Sequence, residues 1–160
     1  MPQTDSNLIL LVLLLPLVGS LIQALLGKRV VDTLGVATGR RVMGVLAVLP
    51  IAMSFGLGAV VTAHLANAPE DARHALYQYF DWISLQSIRV PFELQVDPLS
   101  TMMVLIITGI GALIHLYATG YMAEERDYPR FFTYLNLFIA CMLILVLGGN
   151  LALTFIGWEG

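Results

Sequence analysis

Charged side chains are scarce in this sequence. Of its 160 residues 12% are charged and 58% are hydrophobic, against roughly 25% and 45–50% in an ordinary soluble domain. So little charge excludes a water-soluble globule, and the mean hydropathy of +0.83 agrees. Cysteine is almost missing: the single Cys141 excludes an intrachain disulfide, and no Cys/His cluster has zinc or iron–sulfur spacing. Excess positive charge is missing too, since 8 Lys and Arg against 11 Asp and Glu leave a net charge of −3, which excludes general nucleic-acid binding. Met1–Asn7 has no Lys or Arg, so the first apolar run lacks the basic flank of a cleavable signal peptide and is expected to stay in the mature protein. Neither a Gly-rich phosphate cradle, a Ser/His/Asp set nor a dinucleotide fingerprint is present, so chemistry on a soluble substrate is not expected in this segment.

What the chain does have is length without charge. Ser6–Gly27, Val42–Pro69, Pro98–Ala123 and Phe131–Trp158 contain no Asp, Glu, Lys or Arg, and each exceeds the ~20 residues a helix needs to cross a ~30 Å hydrocarbon layer. The fold class is therefore an all-α polytopic membrane protein. The first span is expected over Leu8–Leu26, bent at Pro16 and stopped by Lys28-Arg29, and the second over Val42–His64. The third is expected over Pro98–Tyr121, opened by Asp97-Pro98, where a carboxylate can cap free N–H groups and proline suits the first helical position. Phe131–Trp158 would be about 42 Å as one helix, too long for one crossing. Gly148-Gly149-Asn150 is its one strong stop signal, which gives a fourth span over Phe131–Leu147 and a fifth beginning at Leu151. That fifth has ten residues before Gly160, so the sequence reads as the start of a longer protein. Three parts follow: a transmembrane hairpin over residues 1–64, an external loop over 65–97, and over 98–160 the start of a second bundle.

The connection Gly27–Arg41 carries Lys28, Arg29, Arg40 and Arg41 against Asp32 alone, and basic short loops face the cytoplasm. The N-terminus and the loop after span two are then expected outside. That loop holds five acids, Glu70, Asp71, Asp81, Glu93 and Asp97, against Arg73 and Arg89. Within it Val90, Phe92, Leu94 and Val96 alternate with Pro91, Glu93 and Gln95, the period of a strand with one apolar face. Tyr79–Ile83 can supply a partner across Ser84–Arg89. This predicts a small external β-hairpin whose apolar face rests on its own helices or on a neighbouring subunit.

Glu159 is the candidate for chemistry. Nine residues after Asn150 it lies ~13 Å along a fifth helix, near the bilayer midplane, and no other acid falls within the expected spans. A carboxylate at that depth costs roughly 2.5–3.5 kcal/mol on insertion scales. Desolvation favours the neutral acid and a nearby cation the carboxylate, so such a group can serve as a proton relay or form a static pair. Thr108, Gly111, His115 and Thr119 share one face of span three. They can line a polar path or mark close helix packing, and packing is favoured. Haem ligation by His115 would need a second ligand at the same depth, whereas His64 belongs near the opposite face. His64 and His74 are expected to be solvated, and Cys141 to pack as a small apolar residue.

Four blocks carry a family resemblance: Val96-Asp97-Pro98-Leu99-Ser100; Leu113-Ile114-His115-Leu116-Tyr117-Ala118-Thr119-Gly120-Tyr121-Met122; Arg130-Phe131-Phe132-Thr133-Tyr134-Leu135-Asn136-Leu137-Phe138; and Gly148-Gly149-Asn150-Leu151 with Gly157-Trp158-Glu159-Gly160. Together they resemble the antiporter-like family of subunit L of bacterial NADH:quinone oxidoreductase, respiratory complex I, whose mitochondrial form is subunit 5. The resemblance implies an N-terminal fragment of a multi-pass subunit of the bacterial inner membrane, with a periplasmic N-terminus and the start of a proton-translocation bundle over 98–160. It implies that Glu159 takes part in proton translocation with a lysine beyond Gly160. It also implies that the hairpin contacts an adjacent antiporter-like subunit, and that NADH, FMN, iron–sulfur clusters and quinone are bound by other subunits, with no cofactor in this chain. Subunits of cation/proton antiporters share the Asp-x-Leu-Ser start and a Trp-Glu pair, and remain an alternative. A structural membrane scaffold is a third.

Overall fold

The structure, a computed structural model, describes residues 3–85 and 88–160. The described residues form five α-helices, a single 3-10 turn over Glu70–Ala72 and one hairpin: α1 (Gln3–Leu34), α2 (Val36–Ala66), β1 (Ala75–Leu85), β2 (Ile88–Val96), α3 (Pro98–Tyr121), α4 (Tyr128–Leu147) and α5 (Leu151–Glu159). The first four helices are long and apolar enough to cross a membrane. The chain is a polytopic helical membrane protein with a small two-stranded antiparallel sheet.

Helix α1 packs on α2 and α4, α2 on α3, and α5 chiefly on α4, so α4 is the element that touches every other helix. One apolar core gathers Ile9 and Val12 from α1, Ile51 and Val61 from α2, Val104 from α3 and Leu143 and Leu147 from α4, with Leu94 and Val96 of β2. A second lies around Met43, Ala47, Ala118, Tyr128 and Phe132.

The first helix does not stop at Lys28-Arg29, and the expected connection Gly27–Arg41 is not a loop. Lys and Arg are good helix formers, so the pair marks a change of solvent without breaking the backbone, and α1 continues to Leu34. The break is Gly35, at φ 78, a left-handed conformation that glycine adopts without a Cβ penalty. One residue thus joins α1 to α2, which starts at Val36 and not Val42. Helix α4 likewise begins at Tyr128, three residues before the expected Phe131, with Pro129 in its first turn.

Helix α1 passes through Pro16. A proline frees the carbonyl four residues earlier, here that of Val12, and the Ser54 hydroxyl on α2 donates to it at 2.9 Å. The neighbouring helix supplies the hydrogen bond that the ring removes.

Helix α3 begins where expected. The Ser100 N–H donates to Asp97 Oδ1 at 2.7 Å and the Asp97 N–H to Ser100 Oγ at 2.8 Å, a reciprocal capping box. Partial burial would raise the Asp97 pKa. Hydrogen bonds from the Ser100 N–H and hydroxyl, the Gln95 amide and the Leu99 N–H outweigh it and hold the carboxyl below its ordinary value. A depressed folded pKa contributes stability above the unfolded pKa and loses it as pH falls through the folded one. Asp97→Ala is expected to cost about 1 kcal/mol of cap stability. Thermal unfolding of the full chain from neutral to acid pH should show the Asp97→Asn variant less pH-sensitive than the parent.

The hairpin is longer than the sequence pattern indicates. β1 starts at Ala75 and β2 at Ile88, Ser84 pairs with Arg89, and register shifts at Gln78/Phe80 and Asp81/Ile83 interrupt the alternation. These bulges hide the strand from a period-2 reading. Of the turn expected within Ser84–Arg89, Ser84 and Leu85 belong to β1 and Ile88 and Arg89 to β2, while residues 86–87 lie outside the described residues. Leu94 and Val96 are buried in the helical core. The Gly149 N–H donates to the Glu93 carbonyl at 3.0 Å, and the Asn150 amide to the Pro91 carbonyl at 2.8 Å. The hairpin therefore rests on its own helices and is stitched to the joint between α4 and α5.

Candidate functional site

The joint fixes where α5 starts. Gly148-Gly149-Asn150 interrupts the apolar stretch, and the Asn150 side chain caps α5 by accepting from the Leu153 N–H at 3.1 Å. Helix α5 then runs back along α4. Gly157 lies against the backbone of Cys141 and Leu145, and Gly160 against the Cys141 side chain. Glu159 is therefore level with Cys141, six residues, or about 9 Å, from the Leu147 end of α4. That level is close to the middle of the apolar stretch Phe131–Leu147. The Glu159 side chain is exposed and, among the described residues, makes no hydrogen bond or ion pair.

The stripe on α3 lies elsewhere, because α5 packs on α4. Thr108 and His115 are fully buried and Thr119 is half-buried. Thr108 donates to the Val104 carbonyl at 2.6 Å and Thr119 to the Leu116 carbonyl at 2.7 Å, each within its own helix. His115 Nδ1 is 2.8 Å from the Gly111 carbonyl, while its Nε2 is buried without a partner among the described residues. The ring lies beside Phe132 with centroids 6.1 Å apart. Gly111 fits against Ile139 of α4 and Ile51 of α2, so part of the stripe is close helix packing. Cys141 is partly buried against α5.

Other interior polar groups escaped the sequence reading. Asn136 on α4 is fully buried, donates to the Phe132 carbonyl at 3.0 Å and leaves Oδ1 without a partner among the described residues. Gln23 on α1 donates to the Met43 carbonyl at 2.7 Å and likewise leaves Oε1 unpaired. Asn136 is the only Asn, Gln, Asp or Glu between Phe131 and Leu147, and Gln23 the only one between Leu8 and Leu26. That isolation is the signal that could have found them.

Asp5, placed outside the first span by its charge, belongs to α1 and is 1% exposed. His64 Nδ1 is 2.8 Å from its Oδ1, so His64 is paired at the end of α2 and is half-exposed, not simply solvated as expected. Tyr79 of β1 donates to the Ser6 carbonyl at 2.6 Å. Burial pushes the phenols of Tyr77 and Tyr79 above their ordinary pKa, with the Asp5 charge adding to the rise at Tyr77. Both therefore remain neutral at physiological pH, Tyr79 as a donor and Tyr77 with its buried hydroxyl unpartnered among the described residues. Among the described residues no group of three His, Cys, Asp or Glu could hold a metal ion.

Residues 82–132 match the family model described as NADH-ubiquinone oxidoreductase (complex I), chain 5 N-terminus. Over 150 residues, 94% of its length, the chain is 43% identical to NADH-quinone oxidoreductase subunit L of Mycobacterium tuberculosis, of which it covers 22%. Over most of its length the chain is similar to the subunit L and chain 5 proteins. It is 38% identical over 159 residues to subunit L of Escherichia coli, covering 96% of this chain and 24% of that protein. To NADH-ubiquinone oxidoreductase chain 5 of Hypocrea jecorina it is 33% identical over 149 residues, 93% of this chain and 20% of that protein. The chain thus spans 20–24% of the length of these curated relatives. The family-model match takes in the Asp97 cap, Thr108, His115 and Thr119, and ends before Asn136 and Glu159.

Proposed function

We propose that this chain carries the amino-terminal helices of the proton-translocating membrane subunit of an NADH:quinone oxidoreductase. In this reading Glu159 takes up and releases the proton, and electron transfer from NADH to quinone in other subunits drives it. The observation that supports this most is the place of Glu159: an acid on a short helix, level with the middle of α4, with no cation beside it among the described residues. In general, desolvation favours a neutral acid and a cation brought alongside favours the carboxylate. A lysine from a later helix, as the family resemblance implies, would supply that cation. In this reading His115, Thr108 and Thr119, on one face of α3, are the candidates for a polar path through the bundle.

The same reading puts the first two helices in a hairpin over residues 1–64, the external segment over 65–97 and the start of the antiporter-like bundle over 98–160. The protein lies in a bacterial inner membrane with its N-terminus in the periplasm, since the basic end of the first hairpin faces the cytoplasm. Phe80, Trp82 and Leu85 on β1 are exposed, and this apolar edge faces the adjacent antiporter-like subunit. NADH, FMN, iron–sulfur clusters and quinone are held by other subunits. The test is Glu159→Gln in the full chain within the assembled complex: proton translocation should fall, and full translocation at unchanged electron flux would overturn the proposal.

A further inference from the structure

A groove of about 890 Å³ opens between α2 and α3 on the outer face of the bundle. It has two chemically different parts. Arg40 and Arg41 stand about one turn in from its Val36 end, and from there toward Ala52 the α2 lining is apolar, with Val45, Val48, Leu49 and Ala52 beside Leu116 of α3. The guanidinium of Arg40 is held in place by the Ala123 and Glu125 carbonyls, which are neutral acceptors. Among the described residues neither arginine is within ion-pair distance of a carboxylate. The hydroxyl of Tyr128, which also lines the groove, lies against Gly44, where a Cβ would meet it at 2.6 Å.

We propose that this groove binds one anionic phospholipid, with its phosphate at Arg40 and Arg41 and an acyl chain along Val45–Ala52. The dimensions suit this occupant. From Arg41 to Ala52 is eleven residues, or about 16 Å of helix, roughly the depth of one leaflet in a ~30 Å hydrocarbon layer. The charge suits it as well: two unneutralised guanidiniums at the interface match a phosphate, which arginine can hold through paired N–H bonds. A peptide helix would need to bring an acid to that level. Basic pockets between transmembrane helices are general sites for acidic headgroups. The inference requires only that α2 and α3 cross the membrane and is independent of proton translocation.

The test uses the full chain, delipidated in mild detergent and returned to vesicles of phosphatidylglycerol and phosphatidylcholine. Retained lipid is then counted by native mass spectrometry. The parent should keep one phosphatidylglycerol per chain in preference to phosphatidylcholine. Arg41→Gln should lower that preference about fivefold, the effect of one interfacial cation. Val48→Phe should reduce retention of both lipids with the arginines intact, whereas Val18→Phe on the exposed face of α1 should change neither. A photoreactive side chain at position 48 should capture phospholipid. An unchanged headgroup preference in Arg41→Gln, or capture at position 48 of a peptide from the protein itself, would overturn the proposal.

Discussion

Glu159→Gln, made in the full chain within its assembled complex, is expected to cut proton transfer through this subunit by at least about 100-fold, the usual scale for removing a positioned proton-transfer group. Glutamine keeps the length and planar end of the side chain but can neither ionise nor release a proton. The packing that seats α5 is made by Gly157 and Gly160 against α4, and the exposed carboxyl contributes no hydrogen bond to it among the described residues. Assembly, read on a native gel, should therefore be unchanged. Pumping is read by dye quenching in proteoliposomes while quinone reduction is followed alongside, which separates a lost proton step from lost electron flux. Glu159→Asp, which retains an acid on a shorter arm, should restore part of the rate. If glutamine pumps as well as glutamate, Glu159 is a static polar group, and the proton crosses by a route that does not need it.

The features legible in the sequence are those whose cause is local. Asp97-Pro98-Leu99-Ser100 announces the start of α3 to the residue, because cap, proline and reciprocal hydroxyl sit within four positions. Gly148-Gly149-Asn150 announces the joint in the same way. The four crossings follow from charge-free length alone. The joint at Gly35 is less legible: its positive φ leaves no mark that distinguishes it from Gly27, which α1 passes through undisturbed. The start of β1 is hidden by two bulges. The polar interior depends on partners far apart in the chain. Ser54 serves the carbonyl that Pro16 frees at Val12, and Asp5 finds His64 across 59 positions. Each residue reads as unremarkable until the helices are packed. The depth of Glu159 lies between these cases. Counting from Asn150 gives its distance along α5, while its level beside Cys141 comes from the contact of α5 with α4.

That contact can be broken without touching the acid. A Cβ at Gly157 would meet the Leu145 backbone nitrogen, the Leu145 Cα at 2.7 Å and the Cys141 carbonyl at 2.8 Å. These are backbone atoms that no rotamer change can move aside, so Gly157→Ala must push α5 away from α4. The expected cost is about 1–3 kcal/mol, the range for overpacking a close contact, with more for Gly157→Leu. Gly56 on α2 and Gly120 on α3 are the internal controls, since a Cβ there meets nothing within 4 Å. Gly56→Ala and Gly120→Ala should be neutral or stabilise their helices by up to about 1 kcal/mol. Thermal unfolding of the full chain in detergent should rank the three. Because Glu159 is two residues beyond the contact, Gly157→Ala should also impair proton transfer with the carboxyl still present, whereas the two controls should pump normally. A Gly157→Ala protein of unaltered stability and full pumping would mean that α5 is free to shift along α4, and that the depth of the acid is set by helices other than α4.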